Sequence, residues 1–148
     1  MKAAAVISPN PDLAKRFQQV LSLSHGDNMN MLGLYAYIAA YEKGDEYLEQ
    51  LLTYLAGNVA HLQKRLAEQL PQIRLIAPQG TYLMWLDYRA MGMAQNELAD
   101  FFTWKAGVSM NTGEWFGPEG TGFMRMNLAC PRKTLDLALD RIAGAFAK

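Results

Sequence analysis

The sequence contains little cysteine and little histidine, and it carries no excess charge of either sign. A single cysteine, Cys130, cannot build a disulfide framework, which makes the reducing cytoplasm the expected location. Cys130 and the two histidines, His25 and His61, lack the spacing of metal ligands, so no metal site is predicted. The 14 basic and 14 acidic residues balance, which argues against electrostatic binding to nucleic acid or to an anionic membrane.

Long hydrophobic runs are also lacking. No stretch approaches the roughly 20 apolar residues that a membrane-spanning helix needs. The opening residues, MKAAAVISPNP, are too short and too soon interrupted by Pro9 and Pro11 to form a signal peptide. The apolar content of 51% nevertheless suffices for the core of one domain of 148 residues.

The spacing of the apolar residues predicts helices that alternate with strands, and therefore a small α/β sandwich in which one sheet carries helices on one face. Asn10 and Pro11 predict the start of a helix, and Gly44 predicts the end of another. The predicted helices follow residue 10, cover residues 31–41 and 45–70, lie near residue 100 and follow residue 131; the predicted strands lie at 3–7, 73–76, 81–88, near 108 and at 123–128.

The most informative stretch covers residues 107–132 and consists of GVSMNTGEWFGPEGTGFMRMNLACPR. Alternate residues of its strand point to opposite faces; one face is purely apolar, whereas the other carries Arg125 and Asn127. Because an unpaired buried guanidinium is costly, Arg125 requires an anionic partner. This partner is either an internal Asp or Glu, or the carboxylate of a ligand held by the planar guanidinium.

The loop at residues 111–122 favours a ligand over an internal partner. It contains four glycines, one proline and two large aromatic residues, Trp115 and Phe116. A loop of this length is uncommon in a compact domain unless it lines a site. Its aromatic side chains are therefore expected at the mouth of a pocket.

Three stretches carry a resemblance to a known family: GTYLMWLDYRAMG at 80–92, KAGVSMNTGEWFGPEGTGFMRMNLACPR at 105–132 and NMNMLGLYAYIAAYEKGDEYLEQLLTYLAGN at 28–58. They resemble the C-terminal part of the class I/II aminotransferases that depend on pyridoxal 5'-phosphate (PLP). Within these, they most resemble the cystathionine beta-lyase branch, the MalY/PatB-type carbon–sulfur lyases. The resemblance implies a small, mostly antiparallel sheet with helices on one face, as in the C-terminal domain of fold-type-I PLP enzymes. It places the end of the large PLP-binding domain, a last strand and helix, at residues 1–28 and the small domain at 29–148.

The resemblance also implies the site residues. Arg125 occupies the position of the arginine that grips the substrate α-carboxylate, in the motif R-x-N-x-A-C-P-R. Tyr82 and Trp115 are then expected at the substrate pocket, although an aromatic residue in a strand, such as Tyr82, is more often part of the core. Asn127 is expected either to orient the arginine or the loop, or to make a purely structural hydrogen bond. Lys2 is expected near the cofactor phosphate.

A short segment preceding the second predicted helix carries a further expectation. In similar enzymes it approaches the active site of the other subunit, which gives Asn28 and Asn30 a possible role there. An ordinary turn is the simpler interpretation of the same residues.

One departure from the family pattern limits what this chain is expected to do alone. The lysine that holds the cofactor as a Schiff base is absent; it is expected upstream of Met1. The chain is therefore predicted to be the inactive C-terminal fragment of a PLP-dependent carbon–sulfur lyase or aminotransferase. The implied partners are an amino-acid substrate such as a cysteine thioether, the large domain of the same protein and a second subunit in a homodimer. The alternative is a free-standing, non-catalytic module that binds a carboxylate metabolite or a protein partner.

Overall fold

The computed structural model describes residues 4–26 and 30–147, and within them the chain forms five α-helices and four strands. The chain divides into two compact units, residues 1–50 and residues 51–148. The helices are α1 (Pro11–Leu23), α2 (Met31–Lys43), α3 (Asp45–Gln69), α4 (Gln95–Asp100) and α5 (Arg132–Phe146), and the strands are β1 (Arg74–Leu75), β2 (Leu83–Asp87), β3 (Asn111–Thr112) and β4 (Phe123–Asn127). The predicted domain boundary after residue 28 remains a prediction.

The first unit contains α1, α2 and the beginning of α3. The side chain of Asn10 accepts hydrogen bonds from the backbone N–H groups of Asp12 and Leu13, at 3.0 and 3.2 Å, which caps α1 as predicted. Asn30 caps α2 by accepting from the N–H of Gly33 at 3.2 Å, so its observed contact is that of an ordinary helix start. Asn28 lies outside the described residues.

The strand predicted at residues 3–7 is wrong for residues 4–7, which have no regular secondary structure. A strand forms only where a neighbouring strand accepts and donates hydrogen bonds, and the described part of the first unit contains only helices. Without such a neighbour the apolar run is not buried, and Ile7 is 92% exposed.

The second unit is built on an antiparallel sheet with the strand order β1-β2-β4-β3. The part of α3 that belongs to this unit, together with α4 and α5, covers one face of this sheet. The core between them contains Met84, Leu86, Met124 and Met126 from the sheet and Leu62, Leu66, Leu98, Phe102, Leu135, Leu139 and Ile142 from the helices. The predicted fold class, a small antiparallel sheet with helices on one face, is confirmed.

The strand predicted near residue 108 begins three residues later, at Asn111. The N–H of Val108 donates to the carbonyl of Phe102 at 2.8 Å and so continues the helical turn at Phe101–Lys105. That N–H is therefore not available to the sheet. Pairing with β4 starts where Asn111 comes opposite Arg125.

The other face of the sheet presents polar and aromatic side chains. On β2 and β4, Trp85 lies opposite Arg125, and Asp87 lies opposite Phe123. These residues alternate with the buried Met84, Leu86, Met124 and Met126. The pleat thus separates an apolar face, covered by helices, from the face that carries Arg125.

None of the helices in the described ranges is both long enough and apolar enough to cross a membrane.

Candidate functional site

Arg125 lies at the centre of the polar sheet face, between Trp85 on β2 and Asn111 on β3. Its Nη2 donates a hydrogen bond to Oδ1 of Asn111 at 2.9 Å, and its guanidinium carbon lies 4.6 Å from the centroid of the Phe116 ring. Its Nε is buried and has no hydrogen-bond partner among residues 4–26 and 30–147. A buried donor without a partner typically costs about 1–3 kcal/mol.

No carboxylate of residues 4–26 or 30–147 lies within ion-pair distance of Arg125. The internal Asp or Glu considered as a partner is thus not found in the described chain. The guanidinium keeps its full charge, a half-buried position and an unsatisfied N–H. This arrangement can accept an external carboxylate, which would replace the missing partner.

Two other arginines on the same face, Arg74 and Arg89, differ from Arg125 in their bonding partner. The buried carboxylate of Asp87 accepts from Nε and Nη2 of Arg89, at 3.0 and 2.9 Å, and from Nη2 of Arg74 at 2.9 Å. These hydrogen bonds, foremost that from the side chain of Arg89, hold the pKa of Asp87 below its usual range. Arg74 and Arg89 therefore have an internal anionic partner, which distinguishes them from Arg125.

Phe116, which contacts Arg125, packs with two further aromatic rings on the same face of the sheet. The Trp85 ring lies 5.6 Å from Phe123, nearly parallel at 15°, and 5.6 Å from Phe116, edge-on at 79°. Both spacings are typical of attractive aromatic pairs. The Phe116 ring limits the access of water to its side of the guanidinium, which strengthens the electrostatic interactions of that group.

The loop at residues 111–122 holds Phe116 in place through two short 3₁₀ turns, Gly113–Phe116 and Pro118–Gly120. The backbones of Gly113 and Gly120 touch: a Cβ on Gly113 would lie 2.0 Å from the carbonyl oxygen of Gly120. At the end of the loop, Gln95 accepts from the N–H of Gly122 at 2.6 Å. Gly113 and Gly120 thus allow the two turns of this structured loop to pack closely together.

The remaining predicted site residues do not bond to the guanidinium. Oδ1 of Asn127 accepts from the N–H of Ala129 at 2.7 Å, which is the structural hydrogen bond considered from sequence. The Tyr82 side chain is 44% exposed, so it does not belong to the core, and Trp115 is 70% exposed. Phe116, rather than Trp115, contacts the guanidinium. Lys2 lies outside the described residues.

Sequence reasoning missed Asn111 and Trp85 as neighbours of Arg125. The alternation of β2 offers a signal for Trp85, since residues 83, 85 and 87 share a face. No comparable signal exists for Asn111, because its position depends on the register of a two-residue strand.

The turn after β4 is anchored to α3. Nδ2 of Asn58 donates to the carbonyls of Leu128 and Cys130, at 3.0 and 3.2 Å, and its Oδ1 accepts from Nε of Arg132 at 2.7 Å. Asn58 is fully buried, so these bonds compensate the loss of its contacts with water. They fix the C-terminal end of the strand that carries Arg125.

The fold is that of the C-terminal part of fold-type-I PLP enzymes. Cystalysin of Treponema denticola, whose crystal structure contains a pyridoxal 5'-phosphate cofactor, matches 95% of the chain with a TM-score of 0.90 and 29% identity. Over 147 residues, 99% of the chain, the identity to cystathionine beta-lyase PatB of Bacillus subtilis is 33%. Over 117 residues, 79% of the chain, the identity to protein MalY of Escherichia coli is 36%. No protein-family model matches the chain.

The homologues are cystathionine beta-lyases of the MalY/PatB type and PLP-dependent aminotransferases, and the chain matches the C-terminal part of their longer sequences. The resemblance stated from the sequence is thereby confirmed. The chain spans 38% of PatB, 30% of MalY and 36% of cystalysin.

The second unit fits the substrate side of a PLP site and not its lysine. Arg125 offers a charged, incompletely bonded guanidinium to a carboxylate. The lysines of residues 51–147 belong to helical elements on the opposite side of the sheet: Lys64 pairs with Glu68 at 3.9 Å, Lys105 lies 5.2 Å from the Phe101 ring and Lys133 is exposed on α5. This part of the chain therefore supplies no lysine for the cofactor aldehyde.

Proposed function

We propose that the chain supplies the substrate-carboxylate site of a PLP-dependent carbon–sulfur lyase or aminotransferase, with Arg125 binding the α-carboxylate of an amino-acid substrate such as a cysteine thioether. The observation that carries this proposal is the state of Arg125: half-buried, bonded only to a neutral amide, and with an unpartnered Nε. Arg74 and Arg89 on the same face share the carboxylate of Asp87 instead. The homology to PLP-dependent lyases and aminotransferases supports the same assignment.

The contribution of this chain to the reaction is the orientation of the substrate. The bound cofactor stabilises the negative charge that develops at the α-carbon. Arg125 fixes the carboxylate, and this decides which bond of the α-carbon lies perpendicular to the cofactor ring. The guanidinium carbon lies over the Phe116 ring, 4.6 Å from its centroid, so that side of the group is closed and a carboxylate is bound through N–H groups that Asn111 does not use. Lyases and aminotransferases both need this orientation, and the proposal therefore covers both.

The other expectations from the resemblance belong to the complete protein. We propose that it works as a cytoplasmic homodimer, with residues 1–28 completing the large PLP-binding domain and residues 29–148 forming the small domain. Tyr82, Trp115 and Asn127 are proposed to line the substrate pocket around Arg125, and Lys2 to lie near the cofactor phosphate. The chain alone is expected to be inactive, since none of the lysines in residues 51–147 lies beside Arg125.

The test replaces Arg125 in the complete enzyme. Loss of a charge-assisted, two-pronged contact is expected to cost about 2–4 kcal/mol. Arg125→Ala should therefore raise KM about 30- to 1,000-fold. The cofactor absorbance spectrum should stay intact, because Arg125 contacts the substrate and not the cofactor. Arg125→Lys should recover part of the loss, since it restores the charge without the planar pair of donors.

Arg74→Ala is the matched control for the Arg125 experiment. Arg74 lies on the same sheet face but pairs with Asp87, and its side chain is 67% exposed. Its removal is expected to leave KM within about twofold. An Arg125→Ala enzyme with unchanged KM, or with a lost cofactor spectrum, would refute the assignment.

A further inference from the structure

The guanidinium of Arg125 is hydrogen-bonded to a neutral amide, although the same face of the sheet also contains a carboxylate that binds arginines. Asn111 on β3 lies directly opposite Arg125 on β4, and its Oδ1 accepts from Nη2 at 2.9 Å. On β2, Trp85 lies opposite Arg125, and two residues further along this strand the carboxylate of Asp87 binds both Arg74 and Arg89. The two arginine clusters therefore differ in the charge of the group that orients them.

Stability alone does not account for an amide at position 111. An aspartate has nearly the same shape as asparagine and would accept the same hydrogen bond, and charge-assisted hydrogen bonds are roughly twice as strong as neutral ones. An aspartate would also form an ion pair with the half-buried guanidinium, and the desolvation cost of such a pair is limited because position 111 is itself only half-buried. The cost of an aspartate appears only when Arg125 has to bind an anion, because the guanidinium would already be neutralised.

The geometry leaves the charge of Arg125 available in a fixed direction. Asn111 uses one of the five N–H donors of the guanidinium. The guanidinium carbon lies over the Phe116 ring, 4.6 Å from its centroid, and Trp85 lies opposite Arg125 on β2, so the group has little room to move. The N–H groups of Nη1 have no hydrogen-bond partner among the described residues and are not buried, so they are available to an incoming carboxylate, whereas Nε is buried below the surface.

We infer that Asn111 is a positioning residue for substrate binding: its neutral amide orients the guanidinium of Arg125 without neutralising it, so that the full positive charge remains for the substrate carboxylate. This inference rests on the proposed function of Arg125. It adds a requirement that the proposed function does not contain, namely that the residue at position 111 must accept a hydrogen bond and must be uncharged.

The experiment compares Asn111→Asp with Asn111→Ala in the complete enzyme. KM and kcat are measured with an amino-acid substrate. Binding of propionate, a carboxylate without an amino group, is followed without turnover by the broadening of its own NMR signals, with propionamide as the neutral control. The melting temperature of each variant is recorded in parallel. Gln72→Glu, which adds the same charge beside Arg74 rather than beside Arg125, controls for the added charge itself.

Asn111→Asp is expected to weaken propionate binding and to raise KM by at least about tenfold, with kcat changed less than about threefold. Its melting temperature should equal or exceed that of the unmodified enzyme, because an ion pair replaces a neutral hydrogen bond. Asn111→Ala should raise KM less, by about three- to tenfold, and should lower the melting temperature slightly. Gln72→Glu and the binding of propionamide should be unchanged.

An Asn111→Asp enzyme that binds propionate and substrate normally would overturn the inference. So would a fall of its melting temperature by more than about 5 °C, since this would mean that the fold itself requires the amide. The proposed function fails separately: if Arg125→Ala leaves KM unchanged, Arg125 does not bind the substrate. If Arg125→Ala raises KM but Asn111→Asp does not, only the role of Asn111 is refuted.

Discussion

Replacing Asn58 by alanine should destabilise the second unit more than the loss of one polar surface residue would. Asn58 is fully buried on α3 and makes three hydrogen bonds to the turn after β4. Asn58→Ala leaves the carbonyls of Leu128 and Cys130 without this donor and Nε of Arg132 without its acceptor. Tyr54 on α3 would still bind this turn, because its hydroxyl donates to the carbonyl of Cys130 at 3.4 Å and accepts from the N–H of Arg132 at 2.8 Å.

The expected magnitude follows from these three contacts. Each buried polar group that loses its partner costs about 1–3 kcal/mol, and partial access to water at Cys130 and Arg132 lowers their share. Alanine is the better helix former by about 0.5–0.7 kcal/mol, which offsets part of the loss. The net decrease in the free energy of unfolding should be about 2–4 kcal/mol.

Chemical denaturation in urea, followed by circular dichroism, measures this difference. The control is Asn127→Ala, which removes a single hydrogen bond to the N–H of Ala129 from an exposed side chain and should cost about 1 kcal/mol or less. If Asn58→Ala costs no more than Asn127→Ala, the turn is not held by Asn58, and the reasoning from its buried hydrogen bonds is refuted.

Two further predictions concern a charged pair and the cofactor. The pKa of Asp87 is lowered by its bonds to Arg89 and Arg74, so its stabilising contribution is fully present above its unfolded pKa of about 3.9 and is lost as the pH falls towards the folded value. The free energy of unfolding should therefore decrease below about pH 4, and less steeply in Asp87→Asn. An unaltered slope in that variant would contradict the stabilising role of the Asp87 carboxylate. Incubation of the chain with PLP followed by borohydride reduction should give no single defined adduct by intact mass, because residues 51–147 place no lysine beside Arg125. A stoichiometric adduct on one lysine would instead indicate a self-contained cofactor site in this chain.

The ends of the helices could be predicted from the sequence because the signals are local. Asn10 and Pro11 begin α1, and Gly44 follows the last residue of α2, as predicted. Asn10 acts through hydrogen bonds to residues two and three positions away, Pro11 acts through its fixed φ, and a Cβ on Gly44 would collide with the carbonyl oxygen of Ala40. No tertiary contact is needed to interpret them.

The two faces of β4 were also predictable, because the alternation of a strand depends only on sequence position. Met124 and Met126 are buried, and Arg125 lies on the other face. The need of Arg125 for an anionic partner follows from the cost of burying a charge. The sequence resemblance to PLP enzymes was likewise available from the residues around Arg125.

Pairing between distant segments could not be predicted in the same way. Residues 4–7 form no strand despite their apolar composition, and β3 begins at Asn111 instead of near Val108. Whether a segment becomes a strand depends on a hydrogen-bonding neighbour elsewhere in the chain, and a shift of one residue in register changes which side chains meet.

The amino-acid sequence by itself therefore determined that Arg125 occurs on the polar face of a strand and that the chain resembles the C-terminal part of a PLP enzyme. Only the tertiary structure decided which residues surround the guanidinium. Asp87 binds Arg74 and Arg89, which leaves Arg125 with Asn111 and Phe116. The physical reason is that these partners lie on different strands and a loop, and their contacts are fixed by sheet register and by the packing of the whole second unit.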